Sequence, residues 1–383
     1  MLNLARTQVM GAYIPDANAS EVIGAVCAQQ EKEMIDPCPD VPYVGVTTRD
    51  ELVAAAGDLS EDGFAKIRLD EDIIYNSFNC LKVVKGTVVI DLNGHLIQGS
   101  DTVIHACGED VKVIINDLKG GGCVKGTEEN DNYGVLQSKD NAMLVLNAGF
   151  ITTSFGEHDV LFGLVTYSGG DFQMNGGKMH TKASCIMCST PGSVISVKSG
   201  HLKAEEVVGA DIQGQSTLKL YGDAHLEGGI MIDIGHLIIE GDAVVENNGY
   251  TWNGEPYPFT VNLGKYASYS ETSGLGPDCI QSAVIMRTGM FGNDHHADGL
   301  GNDMSVTIAG NAKVSTTNGG PVLQILEVNT AHDQKVDINL RRETYKRYDH
   351  DTLDAIYKEK EPSKSLPAET ATTDLTIVGG LEK

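Results

Sequence analysis

The chain has 383 residues, 41% hydrophobic but only 6% aromatic, so it can bury a long core of small and β-branched side chains. Its formal charge of −25, with 28 Lys and Arg that gather into no basic stripe, excludes a nucleic-acid partner by repulsion. No window has the length and apolarity of a membrane-spanning helix, so no membrane partner is expected either.

Residues 1–45 follow no repeat. Ser20 caps a short helix predicted over 19–28, and Pro37, Pro39 and Pro42 make an extended connector, so this segment reads as an attachment arm or a cap. A second helix is predicted over about 48–57. Thr48 stands three residues before Glu51 and an Ala-rich run follows, which is the pattern of a capping box. Such a helix would cover an open sheet end that otherwise recruits another strand. Apolar runs at 65–69, 73–74, 81–84 and 87–97 then read as the strands of a first coil.

Further along, one phrase recurs: alternating apolar residues, a glycine turn, then another apolar residue. It occupies 144–151, 172–179, 194–202, 218–226, 237–244 and 306–314. The turn glycines Gly149, Gly177, Gly200, Gly222 and Gly241 lie 28, 23, 22 and 19 residues apart. Between the phrases fall second apolar runs, among them 103–104, 135–136, 164–165, 185–187, 230–232 and 284–286. A strand–turn–strand unit returning every ~20–30 residues marks a solenoid. No single unit covers its own apolar face, so the units must stack as an array. The 44 glycines, against a usual ~7% of residues, supply the positive φ that tight corners need.

The eight cysteines are dispersed along the chain and read as reduced thiols at core or turn positions. Cys185 and Cys188 form a C-x-x-C without a second pair to complete a zinc site, and are expected to be core residues.

Between Gly241 and Gly310 the phrase is missing for 69 residues. This gap is expected to hold one or two coils plus loop insertions at about 246–303, and loops carried on a rigid scaffold are where function concentrates. Asp294, His295, His296, Asp298 and Asp303 fall here, two imidazoles and three carboxylates that would hold Zn²⁺, or Ca²⁺ through their oxygens alone. The same composition also makes an ordinary solvated turn. Tyr250, Trp252 and Tyr257 form an aromatic group able to stack on sugar rings or to pack a loop on the scaffold. Beyond 340 come four basic residues in 341–348, a helix predicted over 351–358, a linker-like stretch at 361–373 and a last strand at 375–378. That strand must pair back on its own array or onto a neighbouring subunit.

The order of cap helix, I-x-L-x-x-D-I (67–73), V-V-I-D-L-N-G-H-L-I (88–97) and Ile115-Asn116-Asp117 with Gly120–Gly122 resembles right-handed parallel β-helices of the pectin-lyase-like superfamily. The resemblance covers about 45–345 and lies nearest the non-catalytic members found in phage virion and bacterial surface proteins. It implies an all-β, single-stranded right-handed parallel β-helix over 46–340, with an N-terminal cap or arm (1–45) and a C-terminal appendage (341–383). It also implies a homotrimeric structural protein of a bacteriophage particle, whose partners are other virion proteins, reached through either terminal segment, or host glycans. The first residues carry no basic stretch followed by an apolar core, so assembly in the host cytoplasm is expected rather than export. The same fold also hosts polysaccharide lyases, hydrolases and adhesins. The Asn-Thr-Asp, Asp-Asp, Gly-His-Gly and Arg-Ile-Lys series of polygalacturonase-like enzymes is absent, and no catalytic set is expected.

Overall fold

A computed structural model describes residues 37–75, 80–127, 134–155, 162–188, 192–205, 209–212, 216–232, 235–248, 251–252, 255–256, 283–288, 304–317, 322–327, 346–348 and 373–378. The chain divides into two compact units, 1–42 and 43–383, and the second holds the solenoid.

The helix Arg49–Gly57 begins as the sequence predicts. The Thr48 hydroxyl accepts the Glu51 N–H at 3.3 Å, and the Glu51 carboxylate accepts the Thr48 N–H at 3.2 Å and the Thr47 N–H at 2.8 Å. Those hydrogen bonds hold the Glu51 carboxyl below its usual range. Leu52 and Ala56, on one face of the helix, join the core.

Three sheets of 11, 10 and 9 strands follow, and nearly every pairing in them is parallel. Each strand hands the chain to the next sheet, so that Thr87–Asp91 pairs with Lys112–Asn116, and Leu96–Gly99 with Cys123–Gly126. The protein is therefore a parallel β-solenoid. Strand alternation then decides what is buried. In the 11-stranded sheet, Val88, Val113, Leu144, Phe172, Ile195, Leu218, Leu237 and Val306 stand in one register column. Ile97, Val124, Ile151, Met179, Leu202, Leu226 and Val245 form the corresponding column of the 9-stranded sheet. All belong to one continuous core. Fully burying each such side chain contributes roughly 1.5–3 kcal/mol.

The C-x-x-C cysteines are both buried in that core. Cys188 is on the strand Ile186–Cys188, whereas Cys185 sits at the corner just before it, which lets both face inward. Burial pushes both thiols up to about 12. Cys80, Cys107, Cys123, Cys185 and Cys188 are thiols outside any disulfide.

Within the long gap, Val284–Thr288 supplies a rung of the 10-stranded sheet between Ile230–Ile232 and Leu323–Glu327. The final strand, Thr373–Val378, pairs in parallel with Met304–Ala309, so it closes back on its own array.

The corner glycines are needed for two separable reasons. Gly120 and Gly177 have nearly the same φ, +82° and +85°. A Cβ at Gly120 would meet open space, whereas one at Gly177 would stand 2.7 Å from the Gly149 carbonyl oxygen one coil away. Gly177→Ala is therefore expected to lower stability by about 1–3 kcal/mol more than Gly120→Ala, the usual range for overpacking. Urea unfolding of the two variants measures the difference, and equal losses would leave φ as the only constraint.

One outward column is buried as well. His105, Gln137, Val165, Met187 and Asp211 succeed each other across the 10-stranded sheet, and the last four are less than 9% exposed. Burial, with Lys82 and Lys139 nearby, lowers His105 to about 4 from 6.5, against a smaller opposing pull from Asp140. As pH falls, the unfolded chain thus takes up this proton first. Stability from His105 is complete above about pH 6.5 and is lost as the pH falls toward 4. The urea midpoint should accordingly fall less steeply across that window in His105→Gln than in the parent chain. Parallel slopes would rule His105 out as the titrating group.

Candidate functional site

The sequence-predicted sites fall mostly where the structure is silent. Asp294, His295, His296, Asp298 and Asp303, with Tyr250 and Tyr257, lie outside the described residues. Trp252 is in the two-residue strand Thr251–Trp252, which pairs antiparallel with Glu255–Pro256.

Chemistry does gather on the outward face of the 9-stranded sheet. Four successive rungs there are Lys178–Thr181, His201–Ala204, His225–Glu227 and Val244–Asn247. Their inward residues Met179, Leu202, Leu226 and Val245 fill the core and fix the pleat. The residues on either side of each must then face outward. This gives one outward column of Lys178, His201, His225 and Val244, and a second of His180, Lys203, Glu227 and Glu246.

A single geometric rule recurs along this face: each histidine reaches the carboxylate one rung on and two residues along. His180 Nε2 lies 2.7 Å from Glu205 Oε1, His201 Nε2 2.7 Å from Glu227 Oε1, and His225 Nε2 2.9 Å from Glu246 Oε1. Diagonal neighbours of this kind are within reach of long side chains across adjacent strands. Lys203 bridges the series, its Nζ 3.4 Å from Glu205 and 3.7 Å from Glu227. The His201 and His225 rings stack at 4.8 Å with 25° between their planes, and Phe155 lies against His180 at 5.0 Å. These side chains are only partly exposed, roughly a quarter to a third of their surface being open.

The face offers paired imidazole and carboxylate groups on a rigid ladder. His201, His225 and Glu227 each present one ligand atom, and the three atoms lie within 4.8 Å of one another. Among the described residues this is the one His, Cys, Asp and Glu group close enough to hold a metal ion. It is absent from the sequence-based candidates because its members are 2 to 26 residues apart in a stretch without a motif. Aligning the repeats on Met179, Leu202, Leu226 and Val245 exposes it, since His or Glu recurs one residue before or after that position.

The conspicuous polar motif near the start of the solenoid serves the corners instead. Asp117 accepts N–H groups from Gly94 at 2.8 Å, Gly120 at 3.2 Å and Gly122 at 2.7 Å, and Asp91 accepts those of Asn93 and Leu118. Asn116, Asn147 and Asn175 form a ladder, in which Asn147 donates its side-chain N–H₂ to the Asn116 oxygen and Asn175 donates its own to the Asn147 oxygen.

Fold and site together define a parallel β-solenoid with a histidine–glutamate face. Comparison with known protein families, curated proteins and solved structures found no match.

With the side chains partly open to water, each His–Glu pair should contribute little. A double-mutant cycle on His225→Gln and Glu246→Gln in metal-free, low-salt buffer is expected to give a coupling of about 0.2–1 kcal/mol that shrinks in high salt. A coupling unchanged by salt would mean that the contact is a hydrogen bond of a neutral imidazole rather than an ion pair.

Proposed function

We propose that this chain is a structural protein of a bacteriophage virion, exposed on the particle as a capsid decoration, a head fibre or a tail-associated receptor-binding solenoid. In this reading the coils form a stiff homotrimeric spacer. Residues 1–45 and 341–383 dock on other virion proteins, and the outward faces meet host-surface glycans.

The observation that supports it is the continuity of the stack. One core runs through all three sheets, and outward polar groups are tied from coil to coil by the His–Glu diagonals, by Lys219–Glu240 at 2.6 Å and by Asn311–Asp242 at 3.0 Å. Each coil is stabilised mainly by its neighbours, a construction suited to carrying a surface at a fixed distance.

Quantitative mass spectrometry of purified particles, and of washed envelopes from the same culture, tests the proposal. A fixed copy number relative to the major capsid or tail protein is expected. Enrichment in the envelope would favour an adhesin instead. Enrichment in the particle-free medium, with cleavage of a surface polysaccharide, would favour an enzyme.

A further inference from the structure

We infer that the outward face of the 9-stranded sheet carries a binding site for one late first-row divalent cation, Zn²⁺ above all, held by His201, His225 and Glu227.

The donor set is the first reason. Two imidazoles and one carboxylate suit Zn²⁺, and the remaining position stays open to water or to a ligand from a partner. Calcium, which takes six to eight oxygens, is poorly served by two nitrogens.

Preorganisation is the second. His201 and His225 are register partners on neighbouring strands, and Glu227 follows His225 by two residues on the same strand, so the backbone hydrogen bonds already fix all three origins. The ligand atoms lie within 4.8 Å of one another, and His201 Nε2 already touches Glu227 Oε1 at 2.7 Å. At metal–ligand distances near 2.0–2.1 Å, two ligands of one tetrahedral ion sit about 3.3 Å apart. Side-chain rotation covers that difference without moving a strand. Glu246, at 2.9 Å from His225 Nε2, is the outer carboxylate that orients this ring, as such partners of metal-bound histidines do.

Charge is the third and independent reason. Glu227 and Glu246 are register partners, two carboxylates directly opposite each other on adjacent strands. Like charges in that relation destabilise a sheet. His201 meets Glu227 at 2.7 Å and His225 meets Glu246 at 2.9 Å, but the one fixed positive charge among these contacts is that of Lys203, 3.7 Å from Glu227. A divalent cation between the His201 and His225 rungs would neutralise this face and cross-link two coils.

The test uses the tag-free full chain, stripped with a chelator and dialysed, titrated with ZnCl₂ by calorimetry and, separately, with Co²⁺ followed by visible absorption. One saturable Zn²⁺ site is expected, with a Co²⁺ spectrum indicating mixed nitrogen and oxygen ligands and a thermal midpoint that rises with Zn²⁺. His225→Gln and Glu227→Gln should each weaken Zn²⁺ by at least about 10-fold, the lower end of what even outer-shell changes cost metal sites. His95→Gln, which lies far along the array beside Asp72, should leave it unchanged. Circular dichroism establishes that each variant is folded, and the two ligand variants guard against one failing to fold. Undiminished Zn²⁺ affinity in both would overturn the assignment, as would Ca²⁺ binding in place of Zn²⁺.

Discussion

The structure depends on one constraint, the in-register parallel pairing of successive coils. A parallel ladder at a spacing of about 4.8 Å sets each residue beside its counterpart one coil on. Whatever occupies a position must therefore tolerate a close copy of itself on both sides. For the inward columns this is easy, because Leu, Ile, Val and Met stack without penalty and the solvent they exclude stabilises every rung. For the outward columns it is demanding, because like charges would face each other along the whole length of a chain whose formal charge is −25.

The outward side chains answer that demand in a few recurring ways. Where identical polar groups meet, as at Asn116, Asn147 and Asn175, the residue carries both a donor and an acceptor and can repeat without frustration. Where acids accumulate, bases are interleaved along the diagonal, as at His180, His201, His225 and Lys203. At the corners, a carboxylate such as Asp117 takes up N–H groups that no strand partner reaches. Most of the polar residues described thus answer to stacking, so a polar cluster on this scaffold is weak grounds for catalysis.

How far each feature was legible in the sequence follows from the distance over which it is encoded. The glycine phrase, the alternation around it and the Thr48–Glu51 capping box are local signals, and they predicted the solenoid, its corners and its one described helix. The strand at 375–378 was legible as a strand, but its partner was not, because pairing with Met304–Ala309 spans some 70 residues of chain. Cys185 and Cys188 were legible as core residues, whereas the corner that lets both face inward was not, since Cys185 precedes the strand Ile186–Cys188. The histidine face was missed for a related reason. Its members belong to separate coils, and repeats of unequal length hide their register until the inward residues Met179, Leu202, Leu226 and Val245 are aligned. The acidic and aromatic groups of the long gap were conspicuous because they are contiguous, whereas the members of the histidine face are neighbours only across coils.

The backbone register also explains why the histidine face is a candidate for binding. Where a ligand must itself order the residues that hold it, the entropy of that ordering is subtracted from the affinity. Residues on adjacent rungs are ordered by the backbone ladder before any ligand arrives, and their inward neighbours lock the pleat. The same register that forces Glu227 against Glu246 also brings His201 against His225, so the repulsion and the groups that can relieve it arise from a single geometric cause. A cation bound there would reinforce the constraint that created its site, because it would tie together two coils that the hydrogen-bond ladder already holds in register.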